Sequence, residues 1–244
     1  MKYNPKSRRK TRGTKSYDNH TFLHSREARH LRVQCEMIEP QLRLQKLGIN
    51  HLITFFGSAR AKPEHEDYKN AYTLAYKLGN WGKKQTAGIA ISSGGGPGIM
   101  EATNKGAYDS GIKSVGMGIS LPFEQGNNEY ISTDLDFEFH YFFTRKYWCV
   151  YLSKAFVLMP GGVGTLDELF EVITLIQTQK VKLKIPIVLY GSEFWKSVIN
   201  FQALVDHGTI SEKDLDLFIY SNSIDETVDY ITSNIDLEQT WNTL

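Results

Sequence analysis

The chain has little cysteine, no long apolar run and almost no net charge, and each of these absences excludes a class of protein. Its 244 residues include two cysteines, Cys35 and Cys149, which lie too far apart for a CxxC motif or a Cys/His metal spacing. This excludes a disulfide framework and a zinc site, and a reducing cytoplasmic location is expected.

The apolar runs are short and the charges are balanced. No run approaches the roughly 18 apolar residues of a membrane span, and the basic start lacks the apolar core of a secretory signal. We therefore expect no membrane contact. The net charge of +1 provides no global attraction to nucleic acid. His and carboxylate residues do not cluster at ligand spacing, so we expect neither a metal nor another cofactor.

Positive charge is concentrated at the start, where ten Lys and Arg residues before position 34 stand against two acidic residues. Such a segment is either a solvated tail or an arm that docks on nucleic acid; we favour the tail, and nucleic acid is not an expected partner. The predicted organisation is a disordered basic tail at 1–24, a helical extension at 25–48 and one main domain at 49–244.

From His51 onward, short apolar runs alternate with helical stretches. The predicted strands are 52–56, 88–92, 115–119, 155–159 and 187–190, and the predicted helices are 68–81, 99–110, 143–154, 165–178, 193–206 and 225–233. Apolar strands that are each followed by a helix are typical of a parallel sheet covered on both faces. We therefore predict an α/β fold, a Rossmann-like doubly wound parallel sheet, with its ligand site beyond the carboxyl ends of the strands.

Two strand-to-helix loops are candidates for holding an anion. The first, residues 57–60, offers the Ser58 hydroxyl after a glycine, although such a pair is often only a turn. The second, residues 92–98, contains four glycines and leads into a helix N-terminus that favours phosphate. It is neither a P-loop nor a clean GxGxxG motif. Glu101 and Asn104 on that helix are candidate ligand contacts, although Glu101 can instead stabilise the helix dipole.

The third loop, residues 160–168, adds acidic side chains to a glycine-rich turn. Pro160 ends a predicted strand, three glycines turn the chain, and Thr165 is placed as an N-cap or early-turn hydroxyl. Asp167 and Glu168 follow within one helical turn, so one carboxylate can point into the site. A loop that only bound phosphate would favour Lys or Arg there; the alternative is a Glu that stabilises the helix dipole.

Arg145 and Lys146 supply positive charge shortly before the third loop. An exposed pair of this kind is usually solvated. An Arg between an aromatic cluster and a core strand is more often engaged by a ligand or a buried carboxylate.

Three motifs together resemble the Lonely Guy family of cytokinin-activating phosphoribohydrolases, many of whose bacterial members have been labelled lysine decarboxylase-like. They are Ser-Gly-Gly-Gly-Pro-Gly-Ile-Met-Glu-Ala at 93–102, Phe-Thr-Arg-Lys at 143–146 and Pro-Gly-Gly-Val-Gly-Thr-Leu-Asp-Glu at 160–168. The resemblance spans roughly residues 50–232. The segment before it looks like the extension of longer bacterial relatives.

The resemblance implies hydrolysis of the N-glycosidic bond of a nucleoside 5'-monophosphate, which releases the base and ribose 5-phosphate. It implies Arg145 and Glu168 as the catalytic pair and a homodimer, with larger assemblies open to the helices at 25–47. The residues expected to bind substrate are Ser58, Ser93, Gly94, Gly95, Gly96, Met100, Glu101, Asn104, Lys146, Gly161, Gly162, Val163, Gly164 and Thr165.

The chemistry is compatible with these roles, because a carboxylate stabilises an oxocarbenium-like state or activates the attacking water. Arg145 would orient Glu168 or the phosphate. The sequence does not identify the residue that protonates the leaving base. The base pocket is expected at the aromatics of 137–143 and the loop 121–130. A pyridoxal decarboxylase would need a Schiff-base lysine, but the glycine loops contain none and Lys154 is a poor candidate.

Two rival functions remain. A non-catalytic carrier of a phosphorylated ligand, such as a molybdenum-cofactor carrier, also uses glycine-rich loops but has no need of an Arg/Glu pair. A nucleic-acid-associated protein would act through the basic tail.

Overall fold

The structure is a computed structural model that describes residues 13–121, 126–181 and 184–238. Half of the predicted tail (1–12) and part of the predicted base-pocket loop (122–125) lie outside the described residues. The sequence predicted no regular structure before residue 25, but a short 3-10 helix at Ser16–Asp18 and α1 at His20–Leu23 lie there. The Asn19 side chain accepts a hydrogen bond from the backbone N–H of Phe22 and so caps α1.

The chain then forms the long helix α2, Arg29–Lys46, and enters an alternation of strands and helices. The strands are β1 His51–Phe56, β2 Ile89–Ser93, β3 Ser114–Ile119, β4 Asp136–Phe139, β5 Ser153–Leu158, β6 Ile187–Tyr190 and β7 Ile219–Ser221. The helices are α3 Glu66–Gly82, α4 Ile99–Ser110, α5 Phe142–Tyr151, α6 Val163–Gln177, α7 Ser192–Val198, α8 Phe201–Asp206 and α9 Ile224–Asn234.

The seven described strands form one parallel sheet in the order β4-β3-β2-β1-β5-β6-β7. This confirms the predicted Rossmann-like doubly wound fold. Strand order reverses between β1 and β5, where neighbouring crossover connections run to opposite sides. Ligand sites of such sheets lie at that switch point, beyond the carboxyl ends of the strands.

Helices cover both faces of the sheet and create two apolar cores. One contains Trp148 of α5 and Trp195 of α7, which are fully buried. The other packs α3 and α4 against the opposite face, with Leu74 and Ile99 fully buried. All six residues of β1 are buried, as expected for a central strand covered on both sides. The centre of the sheet is therefore a rigid support for the loops that follow β1, β2 and β5.

Two details of the main domain differ from the sequence prediction. The predicted helix 193–206 is two helices, because Ile199 has an extended backbone and the Asn200 side chain caps α8 by accepting from Ala203 N–H. Strands β4 and β7 were not predicted, since both are short edge strands without a continuous apolar run. No helix in the described ranges is long and apolar enough to cross a membrane.

Candidate active site

The loops that follow β1, β2 and β5 are joined by main-chain hydrogen bonds at the switch point. Ser58 N–H donates to the Pro160 carbonyl at 3.0 Å, and Ile99 N–H donates to the Ser58 carbonyl at 3.0 Å. Gly98 makes this approach possible: its φ is +69°, and a Cβ there would overlap the Ser58 and Ala59 backbone. The first loop therefore connects the two glycine-rich loops, and all three face one cavity.

That cavity has a volume of about 600 Å³ and collects side chains from all three loops and from α5. Many of the predicted site residues line this cavity, although they lie up to 110 positions apart in the sequence. Its predicted members are Ser58, Gly94, Met100, Arg145, Gly162, Val163, Gly164, Thr165 and Glu168. All three loops, together with α5, thus line a single site.

The N-terminus of α6 forms the anion-binding part of the cavity wall. Gly162 is the residue before the first helical turn, and the N–H groups of Val163 and Gly164 have no intrahelical acceptor. Thr165 N–H turns back to the Gly162 carbonyl at 3.0 Å, and the Thr165 side chain is buried at the cavity. Free N–H groups and the dipole of a fifteen-residue helix favour a phosphate at this point.

A buried ion pair lies beside this helix start. Arg145 of α5 donates from Nη2 to Glu168 Oε1 of α6 at 2.6 Å, and the two side chains are 14% and 3% exposed. The second carboxylate oxygen, Glu168 Oε2, is buried without a hydrogen-bond partner among the described residues. One oxygen is therefore held by the guanidinium, and the other is buried at the cavity wall without a hydrogen-bond partner among the described residues.

The electrostatics of Glu168 suit a proton acceptor. Burial raises the pKa of its carboxyl above the ordinary value, while the charges of Arg145 and Lys146 oppose that rise. A carboxylate with a raised pKa is a stronger base than an exposed glutamate, yet the two cations favour its charged form. Burial and the ion pair thus give Glu168 the environment of a proton acceptor at the wall of the cavity.

Lys146 occupies a different position from the predicted one. Its ammonium group pairs with Asp167 at 2.9 Å and with Glu171 at 2.7 Å, both on α6. It lies outside the described lining of the 600 Å³ cavity. In the structure Lys146 therefore joins α5 to α6 next to Glu168, away from the position predicted for a substrate contact.

The second glycine loop uses several of its predicted ligand groups internally. Asn104 is fully buried; its Oδ1 accepts from Ser93 Oγ at 2.6 Å and from Asn128 Nδ2 at 2.9 Å. The Gly95 N–H in turn donates to Ser93 Oγ at 3.0 Å. In the structure the Ser93 and Asn104 side chains and the Gly95 N–H thus stabilise the loop through internal hydrogen bonds, while their predicted contact with substrate stays a prediction. The sequence could not distinguish these two uses of the same residue types.

Three other predicted residues lie apart from the central cavity. Glu101 faces α3, where it accepts a hydrogen bond from Tyr68 Oη at 2.8 Å. Gly161 lines a separate depression of about 730 Å³ on the other side of the first loop. Gly96 lines an adjoining cavity of about 370 Å³ that shares Gly94 and Arg145 with the central one.

The aromatic cluster predicted as a base pocket divides between the core and the cavity. Phe137 and Phe139 are buried in the core on the inner face of β4 and are closed to a ligand. Phe142, at the start of α5, lines the central cavity together with Leu121. The alternation of β4, which the sequence analysis missed, is the reason for this division.

Two residues near the site were not singled out by sequence. Arg60 lines the cavity from the first loop and, with Arg145, is one of its two cations within the described lining. Its position directly after Gly57-Ser58-Ala59 was the available signal. Cys149 lies one turn after Arg145 and is buried, and burial raises the pKa of its thiol to about 12, which keeps it neutral beside the ion pair. Its four-residue spacing from Arg145 was the only clue.

Comparisons with known proteins agree with this arrangement. A family model described as "Possible lysine decarboxylase" matches residues 100–231, more than half of the chain. The cytokinin riboside 5'-monophosphate phosphoribohydrolase LOG3 of Arabidopsis thaliana is 28% identical over 189 residues, which cover 76% of this chain and 83% of that protein. LOG4 of the same plant is similar to the same extent.

Solved structures are similar to this chain at lower sequence identity. The X-ray structure of TM1055 is 22% identical, with a TM-score of 0.50 over 75% of this chain and 99% of that one. A molybdenum cofactor binding protein from Rippkaea orientalis is 21% identical, with a TM-score of 0.49 over 75% of this chain and 96% of that one.

Proposed function

The chain belongs to the family described as "possible lysine decarboxylase", that of the Lonely Guy phosphoribohydrolases, and on this premise we propose that it hydrolyses the N-glycosidic bond of a nucleoside 5'-monophosphate. The products are the free base and ribose 5-phosphate. The observation that carries the proposal is the buried Glu168 beside a helix start suited to phosphate; Arg145 holds one of its oxygens, and the other has no hydrogen-bond partner among the described residues.

In the proposed complex, the 5'-phosphate binds the free N–H groups of Val163 and Gly164 at the start of α6. Arg60 faces the same cavity and adds positive charge. The ribose then lies over Glu168, and the base extends toward Met100, Leu121 and the adjoining 370 Å³ cavity. The monophosphate fixes the sugar so that its anomeric carbon meets the carboxylate, which is why a nucleoside without phosphate should be a poor substrate.

The reaction needs a charge that develops on the sugar and a water that attacks it. The bond from the anomeric carbon to the base nitrogen breaks, and positive charge appears on the ribose ring. Glu168 Oε2 stabilises this charge and accepts a proton from the attacking water, whose oxygen bonds to the anomeric carbon. A proton passes to the departing base, so the overall change is the addition of one water.

Arg145 acts by orientation in this scheme. A guanidinium does not release a proton near neutral pH, so it cannot serve as the acid. Its short bond to Glu168 Oε1 fixes the carboxylate at the cavity wall, and its charge favours the ionised form of the carboxylate.

A decarboxylase activity has no support in the site. Pyridoxal chemistry needs a lysine at the cofactor, and the described lining of the 600 Å³ cavity contains no lysine. Lys154 lies within β5 and is 2% exposed, away from the three loops. Incubation with pyridoxal phosphate should therefore leave the cofactor's absorbance unchanged.

The test is release of free base from a panel of nucleotides, measured by chromatography. The panel contains AMP, its N6-isopentenyl derivative and other purine and pyrimidine monophosphates, with nucleosides and diphosphates as controls. We expect base and ribose 5-phosphate in equal amounts from at least one monophosphate and far less from the matching nucleoside. Tight binding of monophosphates without any base release would instead support the carrier function.

A further inference from the structure

Helix α2 contacts α5 at the end of α5 that carries Arg145. The contact centres on one half-buried residue, Glu36. Its Oε1 accepts a hydrogen bond from the His140 N–H at 2.8 Å, and its Oε2 accepts from the Tyr141 N–H at 3.4 Å and the Thr144 hydroxyl at 2.5 Å. A single carboxylate of one helix therefore binds both the backbone and a side chain at the start of another.

Helix α5 lacks a cap of its own at this end. Tyr141, the residue before its first turn, makes no side-chain cap hydrogen bond. The first N–H groups of a helix have no intrahelical acceptor, and a negative charge near them is favourable. Glu36 supplies an acceptor and a charge from outside the helix, as the acidic side chain of a capping box does from within it. A residue of α2 therefore fixes the start of α5.

The backbone of Glu36 is also held against α5. Pro40 lies inside α2 and has no N–H, so the Glu36 carbonyl cannot accept the usual hydrogen bond from four residues later. The buried Trp148 indole of α5 donates to this carbonyl at 2.8 Å instead. Glu36 is thus bound to α5 through its main chain as well as its carboxylate, which keeps the carboxylate in place.

The turn fixed in this way leads directly to the ion pair of the cavity. The Arg145 N–H donates to the Tyr141 carbonyl at 3.2 Å, and the Thr144 hydroxyl lies 2.7 Å from the same carbonyl. The Arg145 guanidinium then binds Glu168 at 2.6 Å, and Phe142 of the same turn lines the 600 Å³ cavity. A shift of this turn therefore moves a cavity wall and the cation that holds the carboxylate.

We propose that Glu36 is a positioning residue for the hydrolysis, because it holds the first turn of α5 where Arg145 meets Glu168. The inference rests on the proposed function and gives the N-terminal extension a part in it. Residues 25–48 contribute nothing to the described lining of the 600 Å³ cavity, so Glu36 acts through Arg145 and does not touch the substrate.

The first experiment is the pH profile of base release by Glu36→Ala. Burial raises the pKa of the Glu168 carboxyl, as does the nearby Glu171. The charges of Arg145 and Lys146 lower it. A loosened Arg145 lowers this pKa less, so the pKa should rise. Because activity needs the ionised carboxylate and is lost as pH falls through its pKa, the acid limb of kcat/KM should move to higher pH.

The kinetic constants give a second readout of the same variant. The kcat of Glu36→Ala should fall by roughly 10- to 100-fold, since a displacement of about 1 Å at a reacting group costs about 100-fold. KM should change little, because the phosphate site at the start of α6 is unaltered. Glu36→Gln keeps one oxygen that can accept from the His140 N–H, so it should recover part of the lost rate.

Glu39→Ala is the matched control, because Glu39 lies on the same helix and pairs with Arg43 of that helix. It should keep the wild-type rate and pH profile. A loss of folded protein lowers the rate equally at every pH. A reduced rate in Glu36→Ala with the acid limb at the wild-type position would therefore overturn the positioning role, as would an unchanged rate.

The second experiment needs no activity and separates this inference from the proposed hydrolysis. Hydrogen exchange of residues 139–146, followed by mass spectrometry, should be several-fold faster in Glu36→Ala than in the wild type and unchanged in Glu39→Ala. Faster exchange in a protein that releases no base from any nucleotide would support the hold of Glu36 on α5 and refute the hydrolysis alone. Exchange at the wild-type rate in Glu36→Ala would refute that hold whatever the activity.

Discussion

The Glu168→Gln substitution is the sharpest test of the proposed chemistry, because it removes a charge and keeps the shape. The glutamine carbonyl can still accept from Arg145 Nη2, and the side chain stays in a site that is 3% exposed. What disappears is the negative charge of the carboxylate, whose Oε2 has no hydrogen-bond partner within the described part of the chain. The variant therefore separates electrostatic catalysis from packing.

The size of the effect follows from the depth of the site. Two unit charges about 4 Å apart interact by about 4 kcal/mol at the effective dielectric constant of about 20 that describes partly shielded sites. Full loss of that stabilisation from the transition state lowers kcat by about 10³-fold. The phosphate site at α6 is untouched, and a negative charge near the phosphate is removed, so KM should stay the same or fall.

The assay is the initial rate of base release from the best monophosphate of the panel, with Glu193→Gln as control. Glu193 is exposed in the first turn of α7 and lies outside the described cavity lining, so its variant should keep the wild-type rate. Thermal denaturation of both proteins establishes that they are folded at the assay temperature. Base release by Glu168→Gln within a few-fold of the wild-type rate would refute the role of this carboxylate.

Three further outcomes are expected. Lys146→Gln removes a positive charge that lowers the pKa of Glu168, so the pKa of that carboxyl should rise. Because activity needs the ionised carboxylate and is lost as pH falls through its pKa, the acid limb of the pH profile of kcat/KM should move to higher pH. An acid limb at the wild-type position would contradict this coupling. Gly98→Ala combines an unfavourable positive φ with overlap on the Ser58 backbone and should cost about 2–4 kcal/mol in chemical denaturation. Asn104→Ala removes a buried amide that accepts from Ser93 Oγ and Asn128 Nδ2 and donates to the Val115 carbonyl, and it should cost about 3 kcal/mol, with kcat reduced through loop disorder. A stability equal to wild type would contradict the structural role of this amide.

The central architecture could be predicted from sequence because its strands are apolar throughout. The predicted helix 99–110 and strand 187–190 coincide with α4 and β6, since glycine, proline and strong periodicity mark their ends. The edge strand β4 was not predicted from the sequence, because one of its faces is polar and solvated and it is only four residues long. Edge strands carry little apolar pattern, and their position is decided by the sheet they join.

Sequence predicted the site best where a residue type is unusual in its local motif, and least where the residue type is common there. A carboxylate directly after a glycine-rich turn is unusual, and Glu168 does meet Arg145. Hydroxyl and amide side chains near such turns are ordinary, and the same pattern that predicted Ser93 and Asn104 as ligand contacts describes a loop that bonds to itself. Which partner a polar group takes depends on tertiary distances that no local spacing contains.

The hydrogen bonds that unite the three loops use main-chain atoms alone at Ser58, Ile99 and Pro160. Their strength does not depend on which side chains Ser58, Ile99 and Pro160 carry, but residues 57 and 98 must remain glycine, because a Cβ at either would overlap the neighbouring loop. Within the first loop, the side chains of Ala59 and Arg60 make no hydrogen bond among the described residues that joins the loops, so these two positions can change while the cavity keeps its form. A change in substrate range would therefore appear first at these positions, where Arg60 already faces the cavity.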